Sequence, residues 1–255
     1  MAKKLYFGSN LKMYKTIEET NEFLNRLIEN TKDISREEIE LFIIPSYLSL
    51  PSTKKIDKKL CKIGAQNMCW EEQGQFTGEI SPLMLKENDV DLVMIGHSER
   101  RHVFKESDYE ENLKVISSLE HGFTTLLCIG ETAQEKEFDI CAEILRTQLK
   151  IGLHGVDDKQ LSKLWIAYEP VWSIGVNGTP AKPEYAGQMH SEIRSCLIEL
   201  FGERGNDIPV LYGGSVNYEN SSELIKQPNV DGLFIGRAAW NADNFNKIIR
   251  NIVEK

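Results

Sequence analysis

Eight short apolar runs, spread along the whole chain and separated by longer stretches with helical charge spacing, constrain the fold more than any other feature. The runs are Leu5–Gly8, Leu41–Ile44, Lys62–Ala65, Leu92–Ile95, Thr125–Ile129, Leu164–Ala167, Val210–Tyr212 and Leu233–Ile235. Helical spacing with charged faces covers Ile17–Glu29, Glu110–Leu119, Glu135–Lys150, Pro183–Leu200 and Asn244–Val253. A strand buried on both faces reads as an unbroken apolar run, and parallel neighbours need a crossover that a helix supplies. The alternation therefore predicts an α/β fold with a parallel sheet, and eight such units in 255 residues suit a closed (β/α)8 barrel. No Pro/Ser-rich linker, low-complexity tract or composition shift divides the chain, so residues 1–255 are expected to form a single catalytic domain.

The alternative architecture, an open doubly wound sheet binding a nucleotide, normally shows a glycine-rich turn after its first strand. Asn10-Leu11-Lys12-Met13 stands there instead, and neither G-x-G-x-x-G nor G-x-x-x-x-G-K-[ST] occurs in the chain. A formal charge of −9 argues against a nucleic-acid partner or an anionic membrane surface. The N-terminus lacks a charged segment followed by an apolar one, and no run of about 18 apolar residues could span a bilayer. The five cysteines form no C-x-x-C pair and read as free buried thiols. A cytoplasmic location is expected.

In a barrel, chemistry comes from side chains at the C-terminal ends of several strands. The sixth run ends in Ala167-Tyr168-Glu169-Pro170-Val171-Trp172-Ser173-Ile174-Gly175, which sets a carboxylate before a rigid, then flexible, loop. A lid so placed would move Glu169 between water and an apolar pocket, and excluding water makes a carboxylate a stronger proton acceptor. The other reading of Glu169 is a strand-terminal residue capping the next helix. Lys12 follows the first strand and precedes a helix, so its ammonium can point over the barrel mouth at an anion, although an isolated lysine is by default a surface residue. The fourth run ends in Gly96-His97-Ser98-Glu99-Arg100-Arg101. Ser98 is expected to cap the following helix, Glu99 and Arg100 to form a supporting ion pair, and His97 to face the mouth as a neutral electrophile. The turns Tyr212-Gly213-Gly214-Ser215-Val216 and Ile235-Gly236-Arg237-Ala238 expose backbone N–H groups where many barrels bind phosphate.

These residues resemble the triosephosphate isomerase family, nearly end to end. The matching segments are Asn10 and Lys12; Ala65-Gln66-Asn67; Phe76-Thr77-Gly78-Glu79-Ile80-Ser81; Ile95 through Arg101; Cys128-Ile129-Gly130-Glu131; Ala167 through Gly175; and Tyr212 through Val216. The resemblance implies a TIM barrel that interconverts dihydroxyacetone phosphate and glyceraldehyde 3-phosphate through an enediolate, with no cofactor and no metal, in glycolysis and gluconeogenesis. It implies Glu169 as the base and His97, Lys12 and Asn10 as preorganised donors to the enediolate oxygens. It further implies that Gly175, Gly213, Gly214, Ser215, Gly236 and Arg237 hold the phosphate of a ketose or aldose. The connection carrying Phe76-Thr77-Gly78 resembles the family's dimer loop and implies a homodimer.

The departures from the family's pattern gather around the substrate. Leu11 stands where the family usually has Trp, Tyr14 where it has Asn, and Phe234 where it has a smaller Leu-type residue. The distal lid reads Val176-Asn177-Gly178-Thr179-Pro180-Ala181, with Pro180 stiffening the hinge. Arg237 replaces the second of two glycines, keeping the N–H and adding a guanidinium. The lid and the Gly-Arg turn resemble a branch that isomerises four-carbon tetrulose phosphates such as erythrulose phosphate. The main expectation is the triose reaction and the alternative is the tetrulose reaction. A third reading, a phosphosugar sensor without turnover, is disfavoured because binding a phosphate requires neither Glu169 nor His97.

Overall fold

The computed structural model describes residues 3–175 and 178–254. Eight parallel strands close into a barrel in chain order: β1 (Leu5–Asn10), β2 (Ile39–Ile44), β3 (Lys62–Ala65), β4 (Leu92–Ile95), β5 (Thr124–Ile129), β6 (Leu164–Tyr168), β7 (Val210–Tyr212) and β8 (Gly232–Phe234). Closure is made by β1 against β8, with Tyr6, Phe7 and Gly8 opposite Gly232, Leu233 and Phe234. All eight expected runs are strands, within two residues at either end. The fold is a (β/α)8 TIM barrel.

Two apolar layers hold it together. Phe42, Ile44, Leu92, Met94, Leu126, Cys128, Trp165, Ala167, Leu211 and Phe234 form one buried cluster, drawn from strand positions that alternate with those facing the helices. Phe42 fills the barrel above Gly8, where a Cβ would overlap its ring, and stacks on Phe234 with ring centroids 5.7 Å apart. The larger cluster lies between strands and helices and includes Phe7, Leu41, Ile43, Leu127, Ile166 and the inner faces of the helices.

The helices are α1 (Ile17–Thr31), α2 (Pro82–Glu87), α3 (Ser98–His102), α4 (Asp108–Glu120), α5 (Ala133–Glu137), α6 (Cys141–Gly152), α7 (Pro183–Phe201), α8 (Tyr218–Ile225) and α9 (Ala242–Val253). Thr16 and Ser107 start α1 and α4 with complete capping boxes. The single helix expected over 135–150 is instead two, because Asp139 takes a left-handed conformation (φ 57°) between them. No helix of the described residues is long and apolar enough to cross a membrane. All five cysteines are free and buried.

Candidate active site

The C-terminal ends of β1, β4, β6, β7 and β8 surround a cavity of about 520 Å³ whose lining includes all ten residues expected at the site: Asn10, Lys12, His97, Glu169, Gly175, Gly213, Gly214, Ser215, Gly236 and Arg237. Asn10 ends β1. Its Oδ1 accepts from the Lys12 amide at 2.8 Å and from Gln66 Nε2 at 3.2 Å, which leaves the side-chain NH2 for the cavity. Lys12 has φ 52°, a strained conformation for a lysine, and Gln66 Nε2 holds its carbonyl at 2.7 Å. The ammonium is paired with Glu99 Oε1 at 2.7 Å. The expected Glu99–Arg100 pair is therefore not formed: Arg100 pairs with Glu106. Sequence proximity favoured the neighbouring arginine, but the barrel brings Lys12 to Glu99 across 87 positions.

His97 is 3% exposed and is itself the cap of α3, replacing the expected Ser98: its Nδ1 accepts the Glu99 amide at 3.1 Å. An N–H aimed at Nδ1 requires a lone pair there, so this hydrogen bond assigns a neutral ring with its proton on Nε2, pointing into the site. The β4 end is buttressed from below by Arg101, which donates to the Gly96 and Cys128 carbonyls and pairs with buried Glu111.

Glu169 is 4% exposed, and its Oε1 lies 3.7 Å from His97 Nε2. It does not cap a helix: the turn Val171–Ser173 that follows is preceded by Pro170. Its backbone is fixed by a 2.7 Å hydrogen bond from its amide to the Ile129 carbonyl, and Oε2 is buried without a partner among the described residues. The Cys128 thiol sits beside it, pushed well above its ordinary pKa by burial and by the Glu169 charge.

At the opposite side, the amides of Gly214, Gly236 and Arg237 make no hydrogen bond within the described residues and border the cavity. Gly213 is different. Its amide donates to the Tyr168 carbonyl at 2.8 Å, one residue beyond the β6–β7 ladder, so it is not an anion donor. The missing side chain is what the site uses there. The Ser215 amide donates to Ser173 Oγ on the lid at 3.2 Å, a weak contact that an anion can displace. The Arg237 side chain is exposed and has no ion pair or hydrogen bond among the described residues.

The first half of the lid is docked. Trp172 Nε1 donates to Glu131 Oε1 at 2.8 Å, an oxygen that also accepts from Tyr168 and Tyr185 hydroxyls. Lys136 Nζ lies 3.2 Å from the centre of the Trp172 ring. Burial and the neighbouring Glu131 charge help push the Tyr185 hydroxyl up, and burial takes Tyr212 to about 12. Gly175 has φ 88°. Val176 and Asn177 at the lid tip lie outside the described residues. Glu131, Trp172, Gln66 and Glu99 were not singled out as site residues, although their segments carried the resemblance.

The sequence profile of the triosephosphate isomerase family matches residues 5–252. The chain belongs to the triosephosphate isomerase family. Among individual relatives, an L-erythrulose-1-phosphate isomerase from Rhizobium etli is 44% identical over 251 residues, covering 97% of this chain and 92% of the relative. A Brucella abortus protein of the same name is 41% identical over 255 residues, covering 99% and 98%. A triosephosphate isomerase from Clostridium tetani is 39% identical over 249 residues, covering 97% and 96%. As a member of the triosephosphate isomerase family, the chain is an isomerase acting on a sugar phosphate.

Proposed function

We propose that the protein isomerises a four-carbon ketose phosphate, with L-erythrulose 1-phosphate as the best-supported substrate, by moving a proton between adjacent carbons through an enediolate. The observation that carries the chemistry is the buried Glu169 carboxylate facing His97 Nε2 across 3.7 Å, at one end of a cavity that carries unpaired amides at the other. The similarity to L-erythrulose-1-phosphate isomerases, reaching 44% identity against 39% for the Clostridium tetani triosephosphate isomerase, supports the tetrulose over the triose that sequence reading favoured. A place in glycolysis and gluconeogenesis belongs to the triose reading and loses support with it.

In this reading the phosphoryl group sits on the amides of Gly175, Gly214, Gly236 and Arg237, with Ser215 joining once Ser173 releases it. The Arg237 guanidinium adds charge, because Lys12 is already neutralised in part by Glu99. In a 1-phosphotetrulose the carbonyl is at C2, one carbon from the phosphorylated C1, as in dihydroxyacetone phosphate. Glu169 removes the C3 proton and returns it to C2, while His97 Nε2 carries hydrogen between the two oxygens. Lys12 and the Asn10 NH2 stabilise the developing negative charge. The carbonyl ends at C3, and the additional CH2OH occupies the place of a hydrogen on the triose. A sensor without turnover would have no use for the buried base and its imidazole partner.

The deciding experiment is kcat/KM on dihydroxyacetone phosphate and L-erythrulose 1-phosphate measured side by side. A preference of about tenfold or more for the tetrulose supports the proposal, since a few side chains shift specificity by about one to three kcal/mol. Triose turnover near 10⁸ M⁻¹s⁻¹, roughly the diffusional ceiling, would overturn it.

The protein is further proposed to act as a cytoplasmic, single-domain homodimer. Support for the dimer comes from the exposed apolar side chains Met13, Leu48, Val103 and Phe104, together with the loop in which Trp70 packs edge-on against Phe76. Sedimentation of the purified protein tests it, and a monomer at micromolar concentration would refute it.

A further inference from the structure

Lys12 is held in a left-handed backbone conformation, which for a residue other than glycine survives only where its surroundings over-determine it. On one side the restraint comes from Gln66, which bonds both Asn10 Oδ1 and the Lys12 carbonyl. On the other side the Asn10 carbonyl accepts the indole N–H of Trp240 at 2.9 Å. Asn10 therefore uses both of its carbonyl oxygens, on opposite sides, to fix the turn that aims Lys12. Trp240 also packs on Tyr14, with ring centroids 4.6 Å apart at 41°, so the same indole restrains the turn at its far end. Tyr14 is 59% exposed and has no burial of its own to hold it.

Trp240 is not an isolated prop. It ends the turn Arg237–Ala239, and its own amide donates to the Arg237 carbonyl at 3.1 Å. Arg237 in turn borders the cavity with an amide and a guanidinium that have no hydrogen bond among the described residues. One residue thus ties the turn that presents anion donors to the turn that presents Lys12 and Asn10.

We infer that Trp240 is a positioning residue: its indole N–H, acting through the Asn10 carbonyl, sets the strained Asn10–Tyr14 turn at a fixed distance from the phosphate-holding turn after β8. Its ring borders the cavity, but its N–H is spent on the Asn10 carbonyl and is not offered to a substrate. Its effect is to place the Lys12 ammonium and the Asn10 amide where the enediolate oxygens form, which is where a small displacement is most costly. The inference rests on the proposed enediolate chemistry, and it holds for whichever ketose phosphate the wild-type protein turns over.

Trp240→Phe keeps an aromatic ring against Tyr14 and removes the N–H. The expected result is a kcat lowered about ten- to a hundredfold, with KM and the dissociation constant for inorganic phosphate within about twofold of wild type. A phosphorylated two-carbon hydroxamate, which mimics the planar enediolate, should bind more weakly by a similar factor. A residue that only supported the fold would lower the melting temperature and leave the kcat of the folded enzyme in place. If Trp240→Phe does not fold, Tyr14→Leu, at an exposed position, tests the restraint through the ring packing instead of the N–H, with a smaller fall in kcat expected and phosphate affinity again unchanged. An unchanged kcat in the folded variant, or equal losses of phosphate and hydroxamate affinity, would overturn the inference. Absence of wild-type activity on every triose and tetrulose phosphate would instead count against the proposed function, leaving the phosphate and hydroxamate comparison to judge Trp240.

Discussion

Gly213 lies directly beneath the side chain of Glu169: a methyl group on its α-carbon would stand 2.7 Å from Glu169 Cγ. Gly130 does the same for the backbone, since a Cβ there would overlap the Glu169 carbonyl. Two strand ends thus lack side chains so that a third can place a carboxylate. Gly213→Ala is expected to displace Glu169 and lower kcat about ten- to a hundredfold, with inorganic phosphate affinity unchanged because the Gly213 amide is already bonded to Tyr168. Steady-state kinetics and a phosphate titration on the same preparation check both halves. Gly130→Ala meets backbone instead of side chain, and should cost fold stability as well.

Glu169→Gln keeps the shape of the side chain and removes the base. Turnover should fall about 10²–10⁴-fold, the range for general acid–base catalysis, while inorganic phosphate still binds. Wild-type activity in this variant would remove Glu169 from the mechanism.

The docked first half of the lid converges on one oxygen. Glu131 Oε1 accepts from Trp172, Tyr168 and Tyr185, and Lys136 lies against the Trp172 ring. Trp172→Phe deletes the indole's hydrogen bond to Glu131 without orphaning the two tyrosines. The lid should open more often, exposing the enediolate phosphate to water and to loss of its phosphate group. The measurement is free phosphate released per isomerisation, expected to rise several-fold. An unchanged ratio would mean that the Trp172–Glu131 bond does not gate the cavity.

The strands were legible because a barrel strand is covered on both faces, so Leu92–Ile95 and Val210–Tyr212 appear as unbroken apolar runs with the observed bounds. Short elements were not. Tyr218–Ile225 buries Ser221 and Ser222 beside Leu224, so its inner face carries no apolar stripe to read, and the break at Asp139 depends on one residue's tolerance of positive φ. At the site, residue type and strand-end position pointed to Lys12, His97 and Glu169, since few side chains there can carry a proton or a charge, while Asn10 came from the resemblance; all four line the cavity. What could not be read was where each polar group spends its hydrogen bonds. Gly213 looked like an anion donor, but its amide belongs to the sheet. Glu99 sat beside Arg100 in the chain, but Lys12 reaches it through the fold. Trp240 stands 230 positions from the carbonyl it holds.

Beneath the β6 and β7 ends, His190 packs edge-on against Tyr168 at 5.7 Å and close to Tyr212 at 6.2 Å. Its Nδ1 donates to the Asn229 carbonyl at 3.0 Å, and its Nε2 is buried without a partner among the described residues. Burial disfavours the imidazolium and lowers the folded-state pKa from 6.5 to about 4. Between those two values the unfolded chain binds a proton that the folded chain refuses. The stability His190 contributes is therefore complete above pH 6.5 and is lost as pH falls toward 4, by up to about 3 kcal/mol. The melting temperature of the wild type should drop further between pH 7 and pH 4 than that of His190→Gln, by about 5–10 °C for a chain of this size. Parallel drops in the two proteins would move the acid sensitivity to other groups.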